Sequence, residues 1–198
     1  MLCIHNRLNS QDFRRGTLEE KQWKELESSL DELVGMPLYI DDSPGLGVMD
    51  VRARARRMMH QHDIELVVVD YLQLLETTRR YDNRATEVAA ISQGLKALAR
   101  ELEIPVVSIA QLNRNVETEQ RRPRMSDLRE SGAIEQDADV IMLLHRPEQL
   151  DEGDEFEVPG SRAEVIVAKQ RNGPTGQCPL AFVKRCLRFE SMASQEKV

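Results

Sequence analysis

Two short β-branched runs flanking one long helical stripe constrain the fold of this chain more than any other feature. Leu66-Val67-Val68-Val69 ends at Asp70, and a second, largely apolar run with Ser108 in it begins at Val106, just after Pro105, and reaches Ala110. Between them Val88, Ile91, Leu95, Leu98 and Leu102 recur at spacings of three and four, which predicts a helix over about 85–103. Strand, helix and strand in that order form a crossover unit, with parallel strands and the helix packed across the sheet. The first run has the composition of a strand buried on both faces.

The flanking segments extend this pattern. Trp23, Leu26, Leu30 and Leu33 mark one buried helical face, with Thr17 as its cap, Gly35 as its end and Pro37 barring continuation. A short strand is expected at 38–40 and a helix over about 48–62. Downstream come a polar loop with Arg121, Arg122 and Arg124, a helical turn near 133–137 and a strand at 140–144. The stretch 151–157 is strongly acidic and reads as an exposed loop. Late strands are expected at 163–168, 180–183 and 186–189, around Gly173-Pro174-Thr175-Gly176. The class is therefore α/β, a mostly parallel sheet flanked by helices with an antiparallel C-terminal extension. The expected segments are a helical lead-in at 1–35, an α/β core at 36–146, an acidic loop at 147–161, strands at 162–190 and a tail at 191–198.

Composition removes several function classes. The 198 residues carry a net charge of −7, which argues against a lysine-coated polyanion binder yet leaves room for a local basic site. The longest unbroken apolar run, at 140–144, is far below the roughly 20 residues of a membrane span. The start of the chain lacks the pattern of a secretory signal. Cys3, Cys178 and Cys186 are an odd, scattered set that reads as reduced thiols in a cytoplasmic protein. His60 and His62 diverge on a helix with no cysteine or third histidine close by, so no metal site is expected there.

Some residues stand where chemistry is usually found. Asp70 ends a buried parallel strand, the edge where open α/β sheets bind ligands, and is either a Mg²⁺-orienting carboxylate or a strand-end turn residue. Gln111 ends the next parallel strand at the same edge, where an amide can meet a γ-phosphate or simply face water. Lys169 and Arg171 flank Gln170 at another strand end; two cations on one face suit a phosphate, and equally suit solvent. The amides around Ser131-Gly132, near a loop rich in arginine, begin a helical turn that either holds a phosphate or belongs to a mobile basic loop without function. The run Arg52-Ala53-Arg54-Ala55-Arg56-Arg57 spreads around a helix and reads as a solvated or interface face. No GxxxxGK[ST] loop occurs anywhere in the chain.

Three ordered segments carry a resemblance. Val67-Val68-Val69-Asp70-Tyr71-Leu72-Gln73-Leu74-Leu75 is the first, and Ser126-Asp127-Leu128-Arg129-Glu130-Ser131-Gly132-Ala133-Ile134-Glu135-Gln136-Asp137-Ala138-Asp139 the second. Ala168-Lys169-Gln170-Arg171-Asn172-Gly173-Pro174-Thr175-Gly176 is the third. Together they resemble the C-terminal, RecA-like ATPase domain of DnaB-type replicative DNA helicases, continuously from about Met1 to Phe189. The resemblance implies a RecA-like P-loop NTPase core that lacks the P-loop strand and helix, with Met1 matching an internal point of the family.

It also implies roles for individual residues. Asp70 is expected as the Walker B aspartate, holding Mg²⁺ through water, and Gln111 as the γ-phosphate sensor. Lys169 and Arg171 are expected to reach in trans to ATP on a neighbouring subunit, and Arg129, Glu130 and Gly132 to line a channel holding single-stranded DNA. A hexameric ring, a primase and a helicase loader are the implied partners. The chain alone is expected to be inactive as an ATPase. A RecA/RadA-type recombination ATPase and a non-catalytic interface or regulatory fragment are the alternative readings.

Overall fold

The computed structural model describes residues 1–77, 81, 83–119, 121–128, 132–147 and 161–192. The expected acidic loop at 151–157 lies outside them. The first elements are α1 (Leu2–His5), α2 (Ser10–Arg15) and α3 (Glu20–Val34). Asn9 starts α2 by accepting the Gln11 N–H at 2.9 Å, and Gly16 ends it at φ +70°, a left-handed conformation natural to glycine.

The start of α3 corrects the expected cap. Gln22 Oε1 accepts the Glu19 N–H at 2.9 Å, while the Thr17 hydroxyl turns back to the Asp12 carbonyl at 3.4 Å. The apolar stripe of α3 is also less buried than its spacing implies. Leu26 packs with Leu8 and Leu18, supported by Leu2 and Phe13, whereas Trp23 and Leu30 each remain 41% exposed. Two short preceding helices supply too little apolar surface to cover the whole face.

The expected strand at 38–40 is absent. No described strand offers it a ladder, and Tyr39 instead stacks on the His62 ring with centroids 4.1 Å apart. Then α4 (Val48–His62) forms where expected, its first turn closed by the Asp50 carboxylate, which accepts the Gly47 N–H at 2.9 Å. Its arginines do spread around the helix: Arg52 and Arg56 both pair with Glu101, while Arg54 turns to Asp41 and Ser43.

The crossover unit is present. Strands β1 (Val67–Val69) and β2 (Val106–Ser108) pair in parallel, with Val67 opposite Val106 and Val69 opposite Ser108. Between them runs α5 (Arg84–Leu102), started by Asn83 Oδ1, which accepts the Thr86 N–H at 2.8 Å. Val88, Ile91 and Leu95 pack with Val69, Leu72 and Leu75 in the main core, against which Val48, Val106 and Ile134 also rest. Where α4 crosses α5, a Cβ on Gly94 would meet Val48 Cγ1 at 2.4 Å, so only glycine allows the approach. One expectation fails here: Leu66 and Val68 are 50% and 57% exposed, so β1 is covered on one face among the described residues.

Beyond β2 come α6 (Asn115–Thr118), a 3₁₀ turn at Met125–Asp127 and α7 (Gly132–Asp137). The last strands are β3 (Val140–His145), β4 (Ser161–Gln170), β5 (Gly176–Val183) and β6 (Arg188–Ser191), hydrogen-bonded in that order. Antiparallel pairing of β5 with β6 sets Leu180 opposite Ser191 and Val183 opposite Arg188. The strand expected at 186–189 starts later, because Cys186 is buried in a 3₁₀ turn and Leu187 takes a left-handed conformation.

The chain divides into two compact units. One comprises Met1–Leu38, Leu144–Ile166 and Gly176–Val198, with Leu8, Leu18 and Leu26 as one cluster and Phe182 against Phe189 as another contact. The other comprises Tyr39–Leu143 and Val167–Thr175, and its core lies along α5. The described candidate site residues Asp70, Gln111, Gly132, Lys169 and Arg171 belong to this second unit. No helix among the described residues is long and apolar enough to cross a membrane.

Candidate functional site

Parallel pairing brings the ends of β1 and β2 to one edge, and Asp70 and Gln111 both follow those ends. The backbone there is stitched across. Ile109 N–H donates to the Val69 carbonyl at 2.9 Å, and Leu72 N–H to the Ile109 carbonyl at 2.8 Å. Gln73 completes the join: its Oε1 accepts the Gln111 N–H at 3.3 Å, and its Nε2 donates to the Gln111 carbonyl at 3.4 Å. Arg84 in turn donates to the Gln73 carbonyl at 2.6 Å. The Asp70–Tyr71 peptide is cis. Asp70 and Gln111 are exposed, and their side chains make no hydrogen bond or ion pair among the described residues. Sequence reasoning gave Gln73 no separate role, although an amide three residues past a strand-end carboxylate was visible.

The second group lies at the end of β4. Lys169 Nζ donates to the Ala138 carbonyl at 2.7 Å and to the Glu135 carbonyl. The Arg171 guanidinium donates to the Gln136 carbonyl and, at 3.3 Å, to Asp139 Oδ1. Its backbone N–H donates to the Asp139 carbonyl at 2.9 Å. Both cations therefore converge on the C-terminal turn of α7, whose last carbonyls have no partner within the helix.

Lys96 of α5 reaches the same place and pairs with the Asp139 carboxylate. That contact, with the added charges of Arg171 and Arg100, holds the Asp139 carboxyl below the usual carboxylate range against the opposing effect of burial. Gln93, Lys96, Ala97, Arg100, Asp137 and Arg171 line an open cavity of about 290 Å³. Lys96 and Arg100 are not singled out by the sequence, and Asp139 only as the end of the second matching segment, because nothing local signals that residues 43 apart meet.

The loop before α7 has its own anchor. The Arg121 guanidinium forks onto Asp127 with two contacts of 2.7 Å, and the Arg124 N–H donates to Asp127 Oδ2 at 2.7 Å. Arg121 is the main reason the buried Asp127 carboxyl falls to about 2. Arg121 is raised in return by Asp127 and Glu119, the two carboxylates it pairs with. Arg129 and Glu130 lie outside the described residues. Gly132 opens α7, is exposed, and has nothing within 4 Å of where a Cβ would stand. Among the described residues no hydrogen bond or ion pair joins Asp70 or Gln111 to Lys169 or Arg171, and no cluster of three metal-ligating side chains occurs.

Comparison with known proteins shows the family of the chain. The DnaB-like helicase C terminal domain family matches residues 1–191. The chain is 45% identical over 194 residues to the replicative DNA helicase DnaB of Mycobacterium leprae, covering 98% of this chain and 32% of that protein. It is 44% identical to the replicative DNA helicase DnaC of Bacillus subtilis, covering 97% of this chain and 42% of that one. The chain thus spans about a third to two fifths of these relatives. The fold superimposes on a DnaB-like replicative helicase, solved in a study of its interactions with primase, with TM-score 0.84 and 35% identity over 96% of this chain and 46% of that one. A second solved structure, of an ATPase domain, gives TM-score 0.83 and 36% identity over 96% of this chain and 68% of that one. With an α/β core shared with these two structures and a family match along nearly its whole length, this chain belongs to the DnaB-like helicase C-terminal domain family.

Proposed function

We propose that this chain is the motor portion of a replicative DNA helicase, acting in a hexameric ring where ATP hydrolysis drives movement along single-stranded DNA and separation of the duplex. The observation that carries this reading is the separation of the polar groups into two sets. Asp70 and Gln111 stand bare at the end of a parallel strand pair, and Lys169 and Arg171 gather at another strand end with no bond to them among the described residues. Two half-sites on one chain suit catalysis at a subunit boundary.

In this mechanism water attacks the γ-phosphorus, the bond to the β–γ bridging oxygen breaks, and ADP departs. Gln111 donates a hydrogen bond to a γ-phosphate oxygen, and Lys169 and Arg171 of the adjacent subunit meet the charge that develops there. An exposed carboxylate suits Mg²⁺ held through water, with the triphosphate supplying most of its contacts, and Asp70 is the residue that would orient it. When bound, that ion neutralises charge on the phosphates. A phosphate cradle is required as well, and no GxxxxGK[ST] occurs in the 198 residues, so this chain alone gives no measurable turnover. Arg129, Glu130 through its amide, and Gly132 contact the DNA phosphates. Primase and a helicase loader are the expected protein partners.

The test joins this chain in frame behind the upstream part of the Bacillus subtilis helicase. Arg171→Ala in every subunit should remove about 10³–10⁵ of DNA-stimulated turnover while nucleotide affinity stays within a few-fold. Arg171→Lys should recover little, because a point charge does not reproduce the planar fork. Turnover within a few-fold of the parent would overturn the trans reading.

A further inference from the structure

Asp139 lies between α7 and β3 and is the residue that touches Arg171 most. Its carbonyl accepts the Arg171 N–H at 2.9 Å, and its Oδ1 accepts from Arg171 Nη1 at 3.3 Å. Its other oxygen, Oδ2, is held by Lys96. The carboxylate is divided between two cations, one on each oxygen. A charge-assisted bond normally spans about 2.7–2.9 Å, so the 3.3 Å contact to Arg171 is a loose one, while Lys96 occupies the other oxygen.

That division has a chemical use. A guanidinium leaving for another partner takes one of the two cations from Asp139, whose side chain is 54% exposed, and the carboxylate then relies on solvent and on its remaining cation. Here Lys96 stays on Asp139, so the departure of Arg171 leaves no bare charge behind. Asp137, the carboxylate that lines the cavity with Lys96 and Arg171, has its Oδ2 buried with no hydrogen-bond partner among the described residues.

We infer that Asp139 is the positioning residue for Arg171, aiming its guanidinium and fixing its backbone, and that Lys96 is the counter-ion that keeps Asp139 compensated when Arg171 turns to the neighbouring subunit's phosphate. The inference rests on the trans reading of Arg171. It adds to the hydrolytic site a carboxylate that touches neither nucleotide nor DNA.

Two measurements test it. In the fusion described above, Asp139→Asn should lower kcat about tenfold, the size of an ordinary coupling between contacting residues, with the KM for ATP within about twofold. Placed on top of Arg171→Ala, the same change should have no further effect, whereas a merely structural role would lower turnover in both backgrounds. In the 198-residue chain labelled with ¹⁵N, hindered rotation of the anchored guanidinium should give separate Arg171 Nη signals. Asp139→Asn should merge them; Lys96→Met should keep them apart and still lower kcat in the fusion.

Unchanged Nη signals together with kcat within twofold in Asp139→Asn would overturn the inference. So would an equal loss of kcat with and without Arg171. If Arg171→Ala itself proves harmless, the trans reading fails instead, and the Nη signals still decide whether Asp139 positions the guanidinium.

Discussion

The two polar ends of the second unit are built on opposite plans. At the end of β1 and β2 the backbone is tied and the side chains are free: Gln73 and the Val69–Ile109–Leu72 bonds lock the loops, while Asp70 and Gln111 make no bond through their side chains among the described residues. At the end of β4 the side chains themselves are tied, with Lys169 and Arg171 resting on carbonyls of α7 and on Asp139. The first plan presents groups already fixed by their framework. The second stores its cations, and a ligand must compete for them. A carboxylate and an amide can wait in water at little cost, whereas two cations side by side repel unless something negative lies between them.

The contrast predicts different consequences for stability. Lys169→Met should destabilise the 198-residue chain by about 1.5 kcal/mol in urea unfolding, since it removes charge-assisted bonds to two carbonyls. Asp70→Asn should leave the unfolding midpoint unchanged. If both variants unfold with the parent, the cations are not stored in solution and the contrast disappears.

Acid should sharpen the same contrast with a smaller effect. Asp127 is lowered from 3.8 to about 2, so its contribution is fully present above about pH 4 and is lost as pH falls through its folded value. Asp139 is lowered too and contributes in the same sense. Urea midpoints should therefore fall on acidification from about pH 5 to about pH 2, and fall less steeply in Asp127→Asn. Lys169→Met should keep the parent's slope, because the carbonyls it loses do not titrate. An unaltered slope in Asp127→Asn would remove Asp127 as an anchor of the loop leading to α7.

The smallest effect is expected at Gly132. With open space around its Cβ position, Gly132→Ala should leave stability unchanged or raise it by no more than about 0.5 kcal/mol. In the full-length fusion the same change should weaken single-stranded DNA binding if the strand's phosphates approach this backbone closely. Fluorescence anisotropy with a labelled oligonucleotide separates the two, and unchanged affinity would move the DNA contact away from Gly132.

These regions also differed in how far the amino-acid sequence revealed them. The stripe at Val88, Ile91, Leu95 and Leu98 faces the core, because a long helix with a regular apolar face has only one way to bury it. Asp70 and Gln111 were found for a related reason: each directly follows an apolar, β-branched run, and parallel pairing sends both to one edge. The partners of the Lys169 and Arg171 side chains were illegible, since three of them are carbonyls, which every residue carries. Lys96 was hidden by distance along the chain. Apolar spacing misled at Trp23 and Leu30, and β-branching misled at Val68, because a pattern states which face could be buried and not whether anything covers it.

Gly94 gives α5 a further property, visible on the timescale of inheritance. Glycine inside a helix costs about 1 kcal/mol relative to alanine, so it persists only where something repays the loss. Here the repayment is the close crossing of α4, with Val48 filling the space a methyl group would need. Drift at most positions of α5 can proceed by small exchanges of size or charge. At Gly94 the smallest step available, one carbon atom, already forces Val48 aside or the two helices apart. Any replacement of this glycine must therefore rebuild the crossing in the same stroke.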